Sequence, residues 1–194
     1  MHPSDLQIGC VVMAAGDARR FGQNKLLQPF RGRPLIDYAL DAADPALFCQ
    51  IVVVTQYDAV AVRAAERGCT VLRNEHPDWG VSHTICLGTK ALQACDGILY
   101  LVSDQPLLTR ASVAKIVAEW RQHPDCIVGA ASGEARGNPN LFPQKYFPDL
   151  LRLQGDRGGT RVIRQHPEAL RIVQVPEAEL HDCDTPAALE QISF

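Results

Sequence analysis

Residues 8–25 read Ile8-Gly-Cys-Val-Val-Met-Ala-Ala-Gly-Asp-Ala-Arg-Arg-Phe-Gly-Gln-Asn-Lys25, and the predicted fold is built outward from this stretch. Its first part, Ile8 to Met13, is apolar and about as long as one buried strand. A turn of small residues, Ala14-Ala15-Gly16, follows, and Gly22 comes six residues later. Glycine lets backbone N–H groups approach a ligand closely. Open α/β sheets bind nucleotides at such a loop, after the first parallel strand.

Three cations, Arg19, Arg20 and Lys25, lie in or just after this loop, so we predict that the loop binds polyphosphate. The spacing excludes a P-loop, in which Ser or Thr follows the lysine, because Leu26 follows Lys25. It also excludes the dinucleotide fingerprint, because the turn holds one glycine. A surface turn with solvated basic residues is the alternative interpretation.

Strands and helices alternate along the rest of the chain. Apolar runs predict strands at 50–55, 69–73, 97–103, 126–131 and 170–175. Helical spacing and caps predict helices at 34–43, 58–67, 82–95 and 109–122, and one that begins near Thr160. Residues 132–140 are polar and are expected to form a loop before Leu141. This order predicts a single α/β domain over 1–194, with a mostly parallel, doubly wound, Rossmann-like sheet.

Composition limits the function classes. The chain has 194 residues, of which 46% are hydrophobic and 21% are charged, and its net charge of -3 does not favour nucleic-acid binding. There is no apolar run long enough for a membrane span, and the N-terminus does not resemble a signal peptide. The seven cysteines lack Cys-x-x-Cys spacing, so we expect reduced thiols in a cytoplasmic protein.

The strand predicted at 97–103 ends in Asp104-Gln105-Pro106. A carboxylate at the carboxyl end of a central parallel strand lies at the edge of the ligand crevice. Mg²⁺ is usually held by one or two carboxylates together with substrate phosphates. We therefore predict that Asp104 binds Mg²⁺. The alternative, that Asp104 caps the next helix, is weaker because the helix begins about five residues later.

The pattern Met13-Ala-Ala-Gly-x3-Arg20-x-Gly22-x-x-Lys25 resembles the opening signature of nucleotidyltransferases that activate sugars, isoprenoid precursors and molybdopterin. The paired alanines before the glycine resemble the molybdenum cofactor cytidylyltransferases within the MobA-like NTP transferase family, whose guanylyltransferase relatives usually have glycine in place of Ala15. Further family-like segments follow in family order. They are Asn74…Trp79-Gly80…Thr84, Asp104-Gln-Pro, Gly155-Asp-Arg-Gly-Gly and Asp182-x-Asp-Thr-Pro. Three residues depart from the family pattern. The family often has serine in place of Ala18 and commonly has serine in the segment that contains His83. It usually has histidine in place of Asn138.

The resemblance implies a fold of the nucleotide-diphospho-sugar transferase type and assigns roles to particular residues. The implied catalytic residues are Arg20, Lys25 and Asp104. The implied nucleotide-binding residues are Ala14, Ala15, Gly16, Arg20, Gly22, Lys25, Gly80 and Thr84. The implied acceptor-binding residues are Asn138, Asp156, Arg157, Gly158 and Arg161. The implied metal ligands are Asp104 and Asp184, with Asp182 as an alternative to Asp184. Asp184 also has a structural interpretation as a helix cap before Thr185-Pro186.

The resemblance also implies the reaction. CMP would be transferred from CTP to the phosphate of molybdopterin or molybdenum cofactor with Mg²⁺, pyrophosphate would be released, and a molybdoenzyme would receive the product. Two alternatives stay open: a nucleotidyltransferase with another NTP or acceptor, such as GTP or a sugar phosphate, and a non-catalytic molybdenum cofactor chaperone.

Overall fold

The structure, a computed structural model, describes residues 5–16 and 24–183. The strands in these residues are β1 (Ile8–Ala14), β2 (Pro29–Phe30), β3 (Arg33–Pro34), β4 (Gln50–Thr55), β5 (Thr70–Arg73), β6 (Gly97–Val102), β7 (Ile127–Ser132), β8 (Ala135–Pro143) and β9 (Leu170–Gln174). The α-helices are α1 (Leu35–Ala42), α2 (Asp58–Glu66), α3 (Val81–Ala91), α4 (Arg110–Gln122), α5 (Phe147–Leu151) and α6 (Thr160–Gln165). The predictions for Ala18, Arg19, Arg20, Gly22 and Asp184 lie outside the described residues.

Seven strands form one sheet in the order β5-β4-β1-β6-β8-β7-β9. Strand β1 lies between β4 and β6 and is parallel to both, with Val12 opposite Val53 on one side and Leu101 on the other. Strand β8 is antiparallel to both of its neighbours, and β9 is parallel to β7. The mostly parallel α/β sheet predicted from the sequence is confirmed.

Helices cover both faces of this sheet, as a doubly wound fold requires. Cys10 and Val12 of β1 belong to one apolar cluster, which includes Ile36 of α1 and Trp120 of α4. Val11 belongs to a second cluster, with residues of α3, α5 and α6. Successive side chains of a strand point to opposite faces. Because both faces are covered, the strand is apolar throughout rather than alternating.

The expected loop at 132–140 is the main correction to the predicted secondary structure. Most of it belongs to β8, a nine-residue strand that pairs with β6 only from Asn140 to Pro143. Its polar first half pairs with β7 as a hairpin, after a tight turn in which Gly133 has a φ of +57°. The side chains of that half are exposed or half-buried, so they carry no hydrophobic pattern that would reveal the backbone pairing.

Smaller differences concern element ends. Helix α3 ends at Ala91 rather than near Cys95, and Pro34 is the N-cap of α1 rather than a residue of its first turn. The β2–β3 hairpin and the short helix α5 were not predicted. Among the described residues, no helix has the length and apolar character needed to cross a membrane.

Helix α3 packs closely on β1 at Gly88. A Cβ at this position would lie 2.6 and 2.7 Å from the two γ-methyl groups of Val11, which is fully buried. Glycine is therefore required for the distance between this helix and the central strand.

We predict that Gly88→Ala lowers the free energy of unfolding by about 1 kcal/mol. Overpacking a core costs about 1–3 kcal/mol, and the higher helix propensity of alanine returns only about 1 kcal/mol. Urea unfolding measures the change, with Lys90→Ala on the exposed side of α3 as a control expected within about 0.5 kcal/mol of the parent. A Gly88→Ala chain as stable as the parent would contradict the close packing.

Candidate functional site

A cavity of about 520 Å³ lies at the carboxyl ends of β1 and β6, where an open α/β sheet is expected to bind ligands. Its walls come from the end of β1, the turn that begins at Lys25, the start of α3, the end of β6 and the loop before α6. The lining residues are Met13, Ala15, Gly16, Lys25, Leu26, Pro77, Asp78, Gly80, Val81, Thr84, Val102, Ser103, Asp104 and Asp156. The cavity therefore brings together predicted residues from four distant parts of the sequence.

The loop that follows β1 is held by side chains at the ends of the two neighbouring strands. Four successive carbonyl oxygens each accept a hydrogen bond from such a side chain. The pairs are Ser103 Oγ to Met13 O (2.8 Å), Thr55 Oγ1 to Ala14 O (2.9 Å), Gln56 Nε2 to Ala15 O (2.9 Å) and Tyr57 Oη to Gly16 O (3.0 Å). The backbone from Met13 to Gly16 is thus oriented by its neighbours before any ligand binds.

Lys25 and Asp104 form an ion pair inside the cavity, with Nζ and Oδ2 2.9 Å apart. Lys25 begins a 3-10 turn that Asn24 caps by accepting a hydrogen bond from the Leu26 N–H at 3.0 Å. The Lys25 side chain is 14% exposed and that of Asp104 is 25% exposed. A phosphate could therefore reach the ammonium, and a cation could reach the carboxylate, without unfolding of the site.

The segment that contains Asp182 and Cys183 packs against the end of β6. Cys183 N–H donates to the Asp104 carbonyl at 2.8 Å, and Gln105 Nε2 donates to Asp182 Oδ1 at 2.9 Å. Gln105 is buried, so its hydrogen bond fixes the Asp182 carboxylate beside the end of β6. Asp182, the alternative to Asp184 as a second metal ligand, thus lies next to this strand end.

A metal site would have to use few protein ligands. Within 5–16 and 24–183, no group of three or more His, Cys, Asp or Glu side chains could hold a metal ion. Mg²⁺ needs only one or two carboxylates when phosphate oxygens and water complete its coordination. The single carboxylate of Asp104, partly exposed in the cavity, fits that requirement.

The segment between β5 and α3 is organised by Asn74, which is buried. Its amide donates to Thr84 Oγ1 at 3.1 Å, and its carbonyl oxygen accepts from the His76 N–H at 3.0 Å and lies 2.8 Å from His83 Nδ1. His76 also stacks on Trp79, with ring centroids 4.2 Å apart. These contacts orient the first turn of α3, so that the predicted residue Thr84 faces the cavity.

Gly80 brings a second loop to the same cavity. Its φ of +83° is a backbone conformation that residues with a side chain rarely adopt. A Cβ at this position would also lie 2.5 Å from the Gly155 carbonyl oxygen and 2.7 Å from Asp156 Oδ1. The Ser82 N–H also donates to the Gly155 carbonyl at 3.1 Å. The close approach of these two loops places the Asp156 carboxylate on the cavity wall.

The five residues predicted to bind the acceptor do not lie together. Asp156 lines the main cavity, and Gly158 lies beside Val81 at the start of α3. Arg157 and Arg161 line a separate depression of about 160 Å³ beside α5 and α6. Asn138 lies in β8, where its Oδ1 accepts a hydrogen bond from Asn140 at 3.0 Å. The structure thus divides this group among three places.

Several residues of the site were not identified from the sequence. Asp78 lines the cavity, and the side chains of Gln56 and Tyr57 orient the loop after β1. Their position in the sequence could have indicated Gln56 and Tyr57. Thr55-Gln56-Tyr57 lies at the carboxyl end of a predicted buried strand, and ligands bind at that end of the strands in a parallel sheet.

We predict that Gly80→Ala destabilises the chain by about 2 kcal/mol more than Gly68→Ala. Both glycines have a left-handed backbone, with φ of +83° and +75°, so both substitutions incur similar strain. Only the methyl at position 80 would meet other atoms, since nothing lies within 4 Å of a Cβ at Gly68. Thermal and urea unfolding measure the difference, and equal losses would show that the two loops are not in contact.

Comparisons with known proteins agree with this architecture. The MobA-like NTP transferase domain matches residues 10–170. The purine catabolism protein PucB of Bacillus subtilis (strain 168) is 25% identical over 94% of each chain. The nicotine blue oxidoreductase of Paenarthrobacter nicotinovorans is 28% identical, over 93% of this chain and 95% of the relative. The chain spans only 35% of another relative, the bifunctional protein GlmU of Pelobacter propionicus, with 26% identity.

Among solved structures, Rv0371c from Mycobacterium tuberculosis H37Rv has a TM-score of 0.82 and 26% identity, over 96% of this chain and 97% of that one. That protein has also been solved in complex with manganese. The family match covers β1 through the start of β9 and includes the cavity described above. By this match, the chain belongs to the MobA-like NTP transferase family.

Proposed function

We propose that this chain is a cytidylyltransferase that transfers CMP from CTP to the phosphate of a molybdopterin-type cofactor and releases pyrophosphate. The observation that carries the proposal is the Lys25–Asp104 pair, 2.9 Å apart, in a cavity that begins at the small-residue loop after β1. One cation and one carboxylate within reach of the same polyphosphate suit phosphate binding and metal binding respectively. Family membership supports the general class of reaction.

The transfer needs no nucleophilic side chain, because the acceptor phosphate itself attacks the α-phosphorus of the triphosphate. The protein contributes positioning and charge stabilisation. Lys25 would exchange its contact with Asp104 for the triphosphate, and backbone N–H groups after β1 would hold the phosphates where Ala15 and Gly16 allow close approach. Arg20 and Gly22, from the sequence pattern, are proposed to complete this phosphate loop.

Asp104 is the proposed holder of Mg²⁺, together with Asp182 or Asp184. These carboxylates would hold the ion, which would supply positive charge against the negative charge that develops on the leaving pyrophosphate. Asp104 is partly exposed on the cavity wall, and Gln105 holds Asp182 beside it. Both features support a metal site that becomes available when Lys25 exchanges Asp104 for the triphosphate.

Gly80, Thr84, Ala15 and Gly16 line the cavity and are proposed to contact the nucleotide. Ala14, which the sequence pattern also indicated, is fully buried at the end of β1 and does not line the cavity. For the acceptor, Asp156 and Gly158 are nearest to the cavity, whereas Asn138, Arg157 and Arg161 would contact more distant parts of an extended ligand. A molybdoenzyme that receives the finished cofactor is the proposed protein partner. The choice of a molybdenum cofactor over a sugar phosphate as acceptor rests on the resemblance of Met13-Ala14-Ala15-Gly16 to the molybdenum cofactor cytidylyltransferases.

We expect that the purified chain releases pyrophosphate when CTP, Mg²⁺ and molybdopterin are all present. Asp104→Asn should lower kcat/KM by roughly tenfold or more, because the neutral amide is a poor ligand for a hard cation. Thermal stability should change by less than about 1 kcal/mol, since the pair is partly exposed. Asp125→Asn is the matched control, because Asp125 lies before the amino end of β7 and not at the carboxyl ends where the cavity is. Its kcat/KM should equal that of the parent.

Other outcomes separate the alternatives. Pyrophosphate release with a different acceptor would keep the transferase and reject molybdopterin. Tight binding of the cofactor with no pyrophosphate from any triphosphate would indicate a carrier. Full activity of Asp104→Asn at ordinary Mg²⁺ concentrations would reject its proposed role.

We further predict that CTP is preferred over GTP, and that Ala15→Gly raises the use of GTP. Ala15 lines the cavity, and we propose that its methyl group occupies space that a purine would need. Exclusion of a larger base gives specificity without stronger binding of the smaller one. The measurement is kcat/KM for both triphosphates with one acceptor. A parent that uses both equally refutes the preference, and an unchanged ratio in Ala15→Gly rejects Ala15 as its cause.

A further inference from the structure

Two cysteines from distant parts of the sequence meet at the amino ends of the central strands. Cys49 lies directly before β4, and Cys95 lies between α3 and β6. Their sulfur atoms are 3.6 Å apart, and both are free thiols. The ligand cavity is at the carboxyl ends of the central strands, so this pair of cysteines lies at the other ends of the strands.

The two thiols meet because Gly9 has no side chain. Strand β1 separates β4 from β6, and a Cβ at Gly9 would lie 3.2 Å from Cys95 Sγ and 2.7 Å from a methyl group of Leu92. Cys95 therefore occupies the space that a side chain of β1 would otherwise fill. From there its sulfur reaches the thiol that comes from the other side of the strand.

The backbone around both cysteines is anchored to the start of β1. The Cys49 N–H donates to the Ile8 carbonyl at 2.9 Å, and the Asp96 N–H donates to the Gln7 carbonyl at 2.8 Å. These hydrogen bonds hold the backbone of both cysteines in place. A disulfide needs the sulfur atoms at about 2.05 Å, so an approach of about 1.5 Å would be required.

The thiols differ in their access to solvent. Cys49 is exposed, whereas Cys95 is buried. Burial, followed by the contact with the Cys49 thiol, raises the pKa of Cys95 to about 12. A dissolved reagent would therefore react first at Cys49. Cys95, protonated and buried, would take part only in the second step, in which it attacks the modified Cys49 sulfur.

We propose that Cys49 and Cys95 are a modification site that forms a reversible intramolecular disulfide with a low-molecular-weight disulfide as oxidant. The Cys49 thiolate attacks one sulfur of the small disulfide, forms a mixed disulfide and displaces one small thiolate. Cys95 then loses its proton to solvent and attacks the Cys49 sulfur, which displaces the second small thiolate. In total, two protein thiols are oxidised to one disulfide, and one small disulfide is reduced to two thiols.

This bond would link the starts of β4 and β6 across β1, between residues 46 positions apart. A cross-link of that span restricts the unfolded chain far more than the folded one, in which the two residues already touch. It therefore stabilises the folded chain while the cavity, at the other edge of the sheet, keeps its shape.

The test incubates the full chain with oxidised glutathione, followed by thiol counting, peptide mapping without reductant and thermal unfolding. We expect a Cys49–Cys95 peptide, the loss of two free thiols and a melting temperature that rises by roughly 5–10 °C and returns with dithiothreitol. Cys49→Ser, an exposed position, should lose all three effects. Cys126→Ser should retain them.

A Cys95→Ser chain should stop at the mixed disulfide of Cys49 with glutathione. The proposal would be overturned if the parent also stopped there, if peptide mapping paired other cysteines, or if oxidised and reduced parent chains melted at the same temperature. Because Cys49→Ser removes only a surface thiol, its result decides the proposal even where substitution of the buried Cys95 impairs folding.

Discussion

The pairing of β1 with β4 on one side and β6 on the other is the constraint on which the cavity depends. Each pairing runs over six residues, so β1 is held in register along its whole length. At its carboxyl end, side chains of the two neighbours continue this control by binding successive carbonyl oxygens from Met13 to Gly16. A loop of small residues has little packing of its own, and these hydrogen bonds replace it.

The ion pair in the cavity contributes little to stability and could exchange partners at low cost. The Lys25–Asp104 pair is only partly buried, and such ion pairs contribute about 1 kcal/mol or less to folding. A polyphosphate offers several negative oxygens to the same ammonium at short range, so it can compete with a single carboxylate. Release of Lys25 would leave the carboxylate available to a cation that arrives with the phosphates. Opening the pair therefore costs little compared with the hydrogen bonds that phosphate oxygens would form with Lys25.

Glycines set how closely the surrounding elements approach β1 and each other. Gly88 brings α3 onto Val11, and Gly80 brings the start of the same helix onto Gly155. One helix thus connects the central strand to the loop that carries Asp156, so this part of the cavity wall is anchored to the core. At the other edge of the sheet, Gly9 gives the space in which the thiols of Cys49 and Cys95 meet.

Local patterns in the sequence were sufficient to predict the α/β class, the position of β1 and the small-residue turn after it, because apolar runs, caps and glycine turns are signals between near neighbours. They also indicated Lys25 and Asp104, which lie at or just after recognisable elements. The pairing of β8, the hydrogen bonds from Gln56 and Tyr57, and the separation of Arg157 from Asp156 became apparent only in the folded chain. These features depend on contacts between residues far apart in the chain, whose distances and directions are set by packing and leave no periodic pattern in the sequence.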